Sequence, residues 1–111
     1  MKAYSQTEPK TFAVSGDELR IHWDVSKLTM KDMDDVEQTQ WVANEALALV
    51  HDDRKTLIER IIGSQYTLPE EIALINNRDT KPDEYATYQA LRQKAKDLAD
   101  AWLAQKEVSN G

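Results

Sequence analysis

The chain of 111 residues has no cysteine, three glycines, three prolines, one phenylalanine and two histidines. Each scarcity removes a class of explanation. Without cysteine there are no disulfides, no thiolate metal sites and no cysteine nucleophile, which suits a reducing compartment. Zinc wants three or four ligands with imidazole or thiolate among them, and two histidines do not supply the set. Calcium loops place carboxylates on a fixed frame around a central glycine, and no such frame occurs. P-loop, Gly-x-Gly-x-x-Gly and Gly-x-Ser-x-Gly runs are also missing. No apolar run reaches the roughly 18 residues of a membrane span, and residues 1–10 are polar, so neither a span nor a secretory leader is expected.

Positive charge is also short. Twenty acidic residues stand against fourteen basic ones, giving a net charge of −6 that repels nucleic-acid phosphates and anionic lipid. Composition thus points to a single domain without metal or organic cofactor, working in neither a membrane nor a nucleic-acid complex.

What is present is a long amphipathic helix over residues 81–105. Thr80 is placed to accept the amide of Asp83, Pro82 suits a first turn, and Asp83 and Glu84 face the positive end of the helix dipole. Tyr88, Leu91, Ala95, Leu98 and Trp102 follow at steps of three and four and form one apolar stripe. Gln89, Arg92, Gln93, Lys96, Asp97 and Asp100 occupy the other side. Such a helix runs for roughly 35 to 40 Å, so it lies across a sheet or overhangs it and meets another chain.

Residues 1–9 read as a loose lead-in. Phe12 and Val14, then Leu19, Ile21, Trp23 and Val25, alternate with polar neighbours about a Ser15-Gly16-Asp17 turn, which predicts a β-hairpin. Residues 27–35 form a polar connection. Residues 37–50 are ambiguous: alanine content favours helix, while Thr39, Trp41 and Val42 favour strand. A third strand over 37–46 is the preferred reading, because a lone hairpin is marginal in water.

Two shorter helices follow. Asp52 or Asp53 caps one ending near Ile62, with Leu57, Ile58, Ile61 and Ile62 on one flank and Gly63 available to stop it. Thr67-Leu68-Pro69-Glu70 is a capping box opening a helix over 68–76, whose buried side is expected at Ile72, Leu74 and Ile75. A tail is expected from Val108, with 107–111 disordered.

Several clusters invite chemistry. His51-Asp52-Asp53 and Asp32, Asp34 and Asp35 read as helix caps and loop solvation rather than metal ligands. His22, on the polar face of its strand, has no serine or carboxylate tied to it by sequence. Residues 56–76 outline a helix-turn-helix, yet Glu70 and Glu71 would point carboxylates at phosphates. Six large rings, Trp23, Trp41, Trp102, Tyr66, Tyr85 and Tyr88, read mainly as core. Tyr85 and Tyr88, at the expected exposed start of the long helix, are the candidate partner-binding residues.

Glu71-Ile72-Ala73-Leu74-Ile75-Asn76-Asn77 and Asp83-Glu84-Tyr85-Ala86-x-Tyr88-Gln89-x-x-Arg92-x-x-Ala95-Lys96, with Ile61-Ile62-Gly63-Ser64-Gln65-Tyr66 before them, add one resemblance. Residues 56–103 resemble the C-terminal half of small uncharacterised prophage-encoded proteins found beside tail or tail-fibre genes. The resemblance implies a bacterial cytoplasmic or virion-associated setting, a structural or assembly-helper role, and no activity to transfer.

The expectation is therefore one α+β domain, with an antiparallel meander of two or three strands over 10–50 packed against helices over 52–106. It is expected to be non-enzymatic and to act by protein–protein contact, with phage tail proteins as partners and a homo-oligomer as a second way to cover the apolar stripe. A helix-turn-helix DNA-binding regulator and a small enzyme are the alternatives.

Overall fold

A computed structural model describes residues 1–31 and 33–110, with only the backbone described for 107–110. The fold is α+β and divides into two compact units, residues 1–50 and 51–111.

The first unit is a four-stranded antiparallel sheet of β1 (Lys2–Ser5), β2 (Phe12–Ser15), β3 (Glu18–Lys31) and β4 (Glu37–Leu49), in the order β1-β4-β3-β2. The hairpin at Gly16 forms as expected. Gly16 has φ 61°, a left-handed conformation that glycine adopts at little cost. Leu19 faces Ala48 and Ile21 faces Ala46 across the β3–β4 pair, and all four are buried. Large side chains on one strand thus meet small ones on its neighbour, which fills the face without crowding.

Residues 37–49 are strand, the preferred of the two readings. β4 is hydrogen-bonded on both sides, by β1 and by β3, and two ladders outweigh the helical leaning of its alanines. Two segments depart from expectation. Residues 2–5, expected as part of the lead-in, form an edge strand in which Ala3 faces Ala43 and Tyr4 faces Val42. Residues 27–31, expected as a connection, continue β3 and pair with residues 37–41 of β4. A bulge between Trp23 and Ser26, with Asp24 at φ 52°, precedes this extension. Beyond Lys27 and Trp41 neither β1 nor β2 flanks the pair, so the two-stranded ribbon exposes Leu28 and Met30. Asp35 turns the chain at φ 60°, and Asp32, the first acid of the expected loop cluster, lies outside the described residues.

The second unit holds α1 (Arg54–Gly63), α2 (Leu68–Asn76) and α3 (Pro82–Asn110). Asp53 is the α1 cap, its Oδ1 accepting the Thr56 amide at 2.8 Å, while Asp52 pairs with Arg60 at 2.7 Å. Gly63 is the last α1 residue, and Ser64 closes the helix through its amide to the Arg60 and Ile61 carbonyls. The Thr67 capping box is complete: the Glu70 amide donates to Thr67 Oγ1 and the Thr67 amide donates to Glu70 Oε1. Thr80 does not cap α3 as expected. Its hydroxyl donates backwards to the Asn77 carbonyl at 3.0 Å, and the helix opens one residue later with the Tyr85 amide on the Lys81 carbonyl.

Tyr88, Ala95, Leu98, Ala99 and Trp102 are buried on α3, and Leu57, Ile61 and Ile62 on α1. α1 packs on α3. The α3 backbone continues helical to Asn110, through most of the segment expected as a tail; Gly111 lies outside the described residues. No helix among the described residues is long and apolar enough to cross a membrane.

Candidate docking surface

α2 has no buried residue. Leu68, Ile72 and Ile75 recur at steps of four and three, so they share one side of the helix, and they are 68 %, 51 % and 36 % exposed. Ile72 and Ile75 were expected in the core. The same stripe that signals burial instead faces solvent, because periodicity says which residues share a face and not what covers it. The helix is held by other means: its capping box at one end, and at the other the Asn77 amide and side chain, both donating to the Ala73 carbonyl.

Tyr85 and Tyr88 are placed differently from expectation. Tyr88 is only 2 % exposed, its ring edge-on to Tyr66 at 5.3 Å and its hydroxyl donating to Glu71 Oε1 at 2.7 Å. Burial first, and then the bond to Glu71, push its phenol up to about 12. Tyr85 is half-buried and accepts a hydrogen bond from Gln89 Nε2 at 2.6 Å. Tyr88 thus belongs to the joint between α2 and α3 and presents no free surface, while Tyr85 stays partly exposed on α3.

Beside the joint is a cleft of 570 Å³ formed by α1, α2 and α3. Ile58, Ile62, Ile75 and Tyr88 supply its apolar lining. Arg54, Lys55 and Arg92 line it as well, against Glu59 and Glu71. Arg54 is braced by Asp100 through bonds of 2.7 and 3.5 Å, and its guanidinium holds the Asp100 carboxyl below the usual carboxylate range. Arg92 stands 5.8 Å from the centre of the Tyr88 ring. A smaller cleft of 250 Å³ touches Tyr66, Leu74, Asn77 and Lys81.

In the sheet unit, His22 and Glu45 are cross-strand partners, 2.9 Å apart and both buried. Sequence tied no carboxylate to His22, since its partner is 23 residues away and only the β3–β4 register brings them together. Neither residue lines either cleft. Among the described residues no three histidine, aspartate or glutamate side chains gather as metal ligands, and Asp34 and Asp35 stand in the connection between β3 and β4. The chain matches no protein-family model, and neither a curated protein nor a solved structure matches it.

Proposed function

We propose that this protein is a non-enzymatic binding module whose α2 face and adjoining cleft take an amphipathic helix of a protein partner. The observation that carries this is the exposure of Leu68, Ile72 and Ile75 on a helix that is capped at both ends. A contiguous apolar stripe in water is a cost that burial against a partner removes. A helix laid in a groove, with anchors at steps of three and four, matches the geometry. Arg54, Lys55 and Arg92 favour an occupant with acidic flanks, whereas a second copy brings its own net charge of −6. DNA is a poorer match, because α2 carries no Lys, Arg or His to reach phosphates or bases. The setting proposed is phage tail assembly in a bacterial cytoplasm, as tail component or helper, and it rests on the resemblance of residues 56–103 alone.

The test is a titration of isoleucine and leucine methyl resonances with a synthetic amphipathic helical peptide bearing glutamates at its ends. Shifts at Leu68, Ile72, Ile75 and Ile58, with affinity that weakens in salt and in a Lys55→Glu, Arg92→Glu variant, are expected. Silence of those methyls overturns the reading. Concentration-dependent dimerisation through the same methyls replaces the partner helix with a second copy.

A further inference from the structure

Arg92 lines the cleft beside α2 as a half-buried cation without a counter-charge. Among the described residues no carboxylate comes within ion-pair distance of its guanidinium, and no acceptor bonds to it. The guanidinium carbon instead stands over the Tyr88 ring, 5.8 Å from its centroid. The sequence accounts for this. One turn away on α3 are Tyr88, Gln89, Ala95 and Lys96, none of them acidic, so the helix supplies Arg92 with no ion-pair partner of its own.

The other charges of the cleft are engaged. Arg54 is bonded to Asp100 at 2.7 Å, and Lys55, its side chain 86 % exposed, stands 3.9 Å from Glu59. Glu71 accepts the Tyr88 hydroxyl. Arg92 is therefore the uncommitted charge among the described residues that line the cleft. A guanidinium offers five N–H donors in a planar fork and accepts nothing, so what it can take is a carboxylate or a phosphate. Its place over the Tyr88 ring restricts the fork and leaves less freedom to lose on binding. Glu59 and Glu71 already line the cleft, which favours a single negative charge over a phosphate dianion. Ile58, Ile62 and Ile75 line the same space, so the anion arrives on an apolar carrier.

We propose that Arg92 is the carboxylate receptor of the cleft. It takes one glutamate or aspartate of the docked helix in a bidentate bond, while an apolar anchor about one turn away on that helix packs against Ile58 and Ile75. This rests on the reading of the α2 face and cleft as a helix-docking site, and it adds what decides which helix fits. The acid that counts is the one beside an anchor, because acids near Arg54 and Lys55 meet cations that are already paired. A helix with lysine at that position meets Arg92 as a like charge and is rejected.

The test pairs changes on both sides of the contact. The full chain and an Arg92→Gln variant are titrated with the amphipathic peptide bearing glutamates at its ends, and with copies in which each glutamate in turn is replaced by glutamine. Because no described residue bonds to the Arg92 side chain, Arg92→Gln should leave helical circular dichroism unchanged. In the parent chain one of the peptide exchanges should weaken binding about 10- to 100-fold, the worth of a charge-assisted bond, and in Arg92→Gln the same exchange should cost little. Arg92→Lys, which keeps the charge and loses the fork, should retain only part of the affinity. Peptide binding in which no glutamate couples to Arg92 overturns the receptor and leaves the docking site standing.

A second titration uses hexanoate, with hexanol as the uncharged control, and follows the Arg92 Nε–Hε resonance. Hexanoate should shift it together with the Ile58 and Ile75 methyls, and hexanol should leave Nε–Hε in place. Silence at Nε–Hε with both peptide and hexanoate overturns the receptor. A response to hexanoate beside a peptide that does not bind overturns the helix as the occupant.

Discussion

The Tyr88 hydroxyl donates to Glu71 Oε1 at 2.7 Å across 17 residues of chain, and this bond joins α3 to α2. With the Tyr66 ring edge-on at 5.3 Å, it orients a helix that buries no residue of its own. α2 is therefore positioned by polar and aromatic contacts at its margins, which leaves its apolar side open.

Tyr88→Phe keeps the ring and removes the donor, so it should cost about 1 kcal/mol in urea unfolding, while Tyr88→Ala should cost about 3–5 kcal/mol through the lost ring and the cavity. The phenol gives a pH signature too. Its ionisation is raised to about 12, above the roughly 10 of an unfolded tyrosine. The folded state thus keeps a proton that the unfolded state releases, so the Tyr88 contribution is intact below about pH 10 and is lost as pH climbs towards about 12. Phenolate absorbance should show a late-titrating tyrosine that Tyr88→Phe removes.

Acid should act on the helical unit through its caps and its α1–α3 ion pair. Hydrogen bonds from Thr56 hold Asp53 below the usual carboxylate range, the Thr67 amide does the same for Glu70, and Arg54 for Asp100. Their contributions are present above about pH 4, where unfolded carboxylates are ionised, and fade as pH falls through the lower folded values. Helical circular dichroism should record the loss. Asp53→Asn, which still caps but does not titrate, should weaken the dependence; Asp53→Ala should lower the thermal midpoint by roughly 4–8 °C.

Exposed and buried apolar residues of the helical unit should part company. Leu68→Ser and Ile72→Ser should change stability by less than about 1 kcal/mol while abolishing binding of the acidic amphipathic peptide. Leu57→Ala, at a fully buried position, should cost about 2–5 kcal/mol. Chemical denaturation beside peptide titration separates the two classes.

Two left-handed residues give a backbone test in the sheet unit. An added Cβ at Gly16 meets no atom within 4 Å, so Gly16→Ala should lose only the torsional penalty, about 1–2 kcal/mol. Asp24→Gly at the bulge should be neutral or mildly stabilising, whereas Asp24→Val should cost at least about 1 kcal/mol. Urea midpoints of the three variants check both.

Legibility followed the range of the interactions. The Gly16 turn, a cap at Asp52 or Asp53 and the Thr67 capping box were readable because each closes within a few residues; the structure chose Asp53. Edge strand β1 was missed because Lys2–Ser5 carries little β signal of its own and is strand only through its ladder to β4. The continuation of β3 to Lys31 was missed for the same reason, since its polar residues are held by residues 37–41. Thr80 was read as a cap from its type, but its hydroxyl donates to the Asn77 carbonyl three residues back instead of accepting the Asp83 amide three residues ahead. Tyr88 heads the apolar stripe of α3, whose period marked it for burial; its place at the start of the helix suggested exposure instead, and Glu71 and Tyr66, from outside α3, close over it.

Local chemistry settled the kind of chain this is: an acidic α+β chain without cysteine, a hairpin followed by three capped or punctuated helices, and apolar residues spaced into stripes. Side-chain period and cap residues act over one or two turns, so they can be read in a line. The folded arrangement alone decided which stripe is covered and which stays wet, and that a histidine and a glutamate distant in the chain come within hydrogen-bond distance. Those outcomes depend on register and on long-range packing, which bring together residues that no local pattern links.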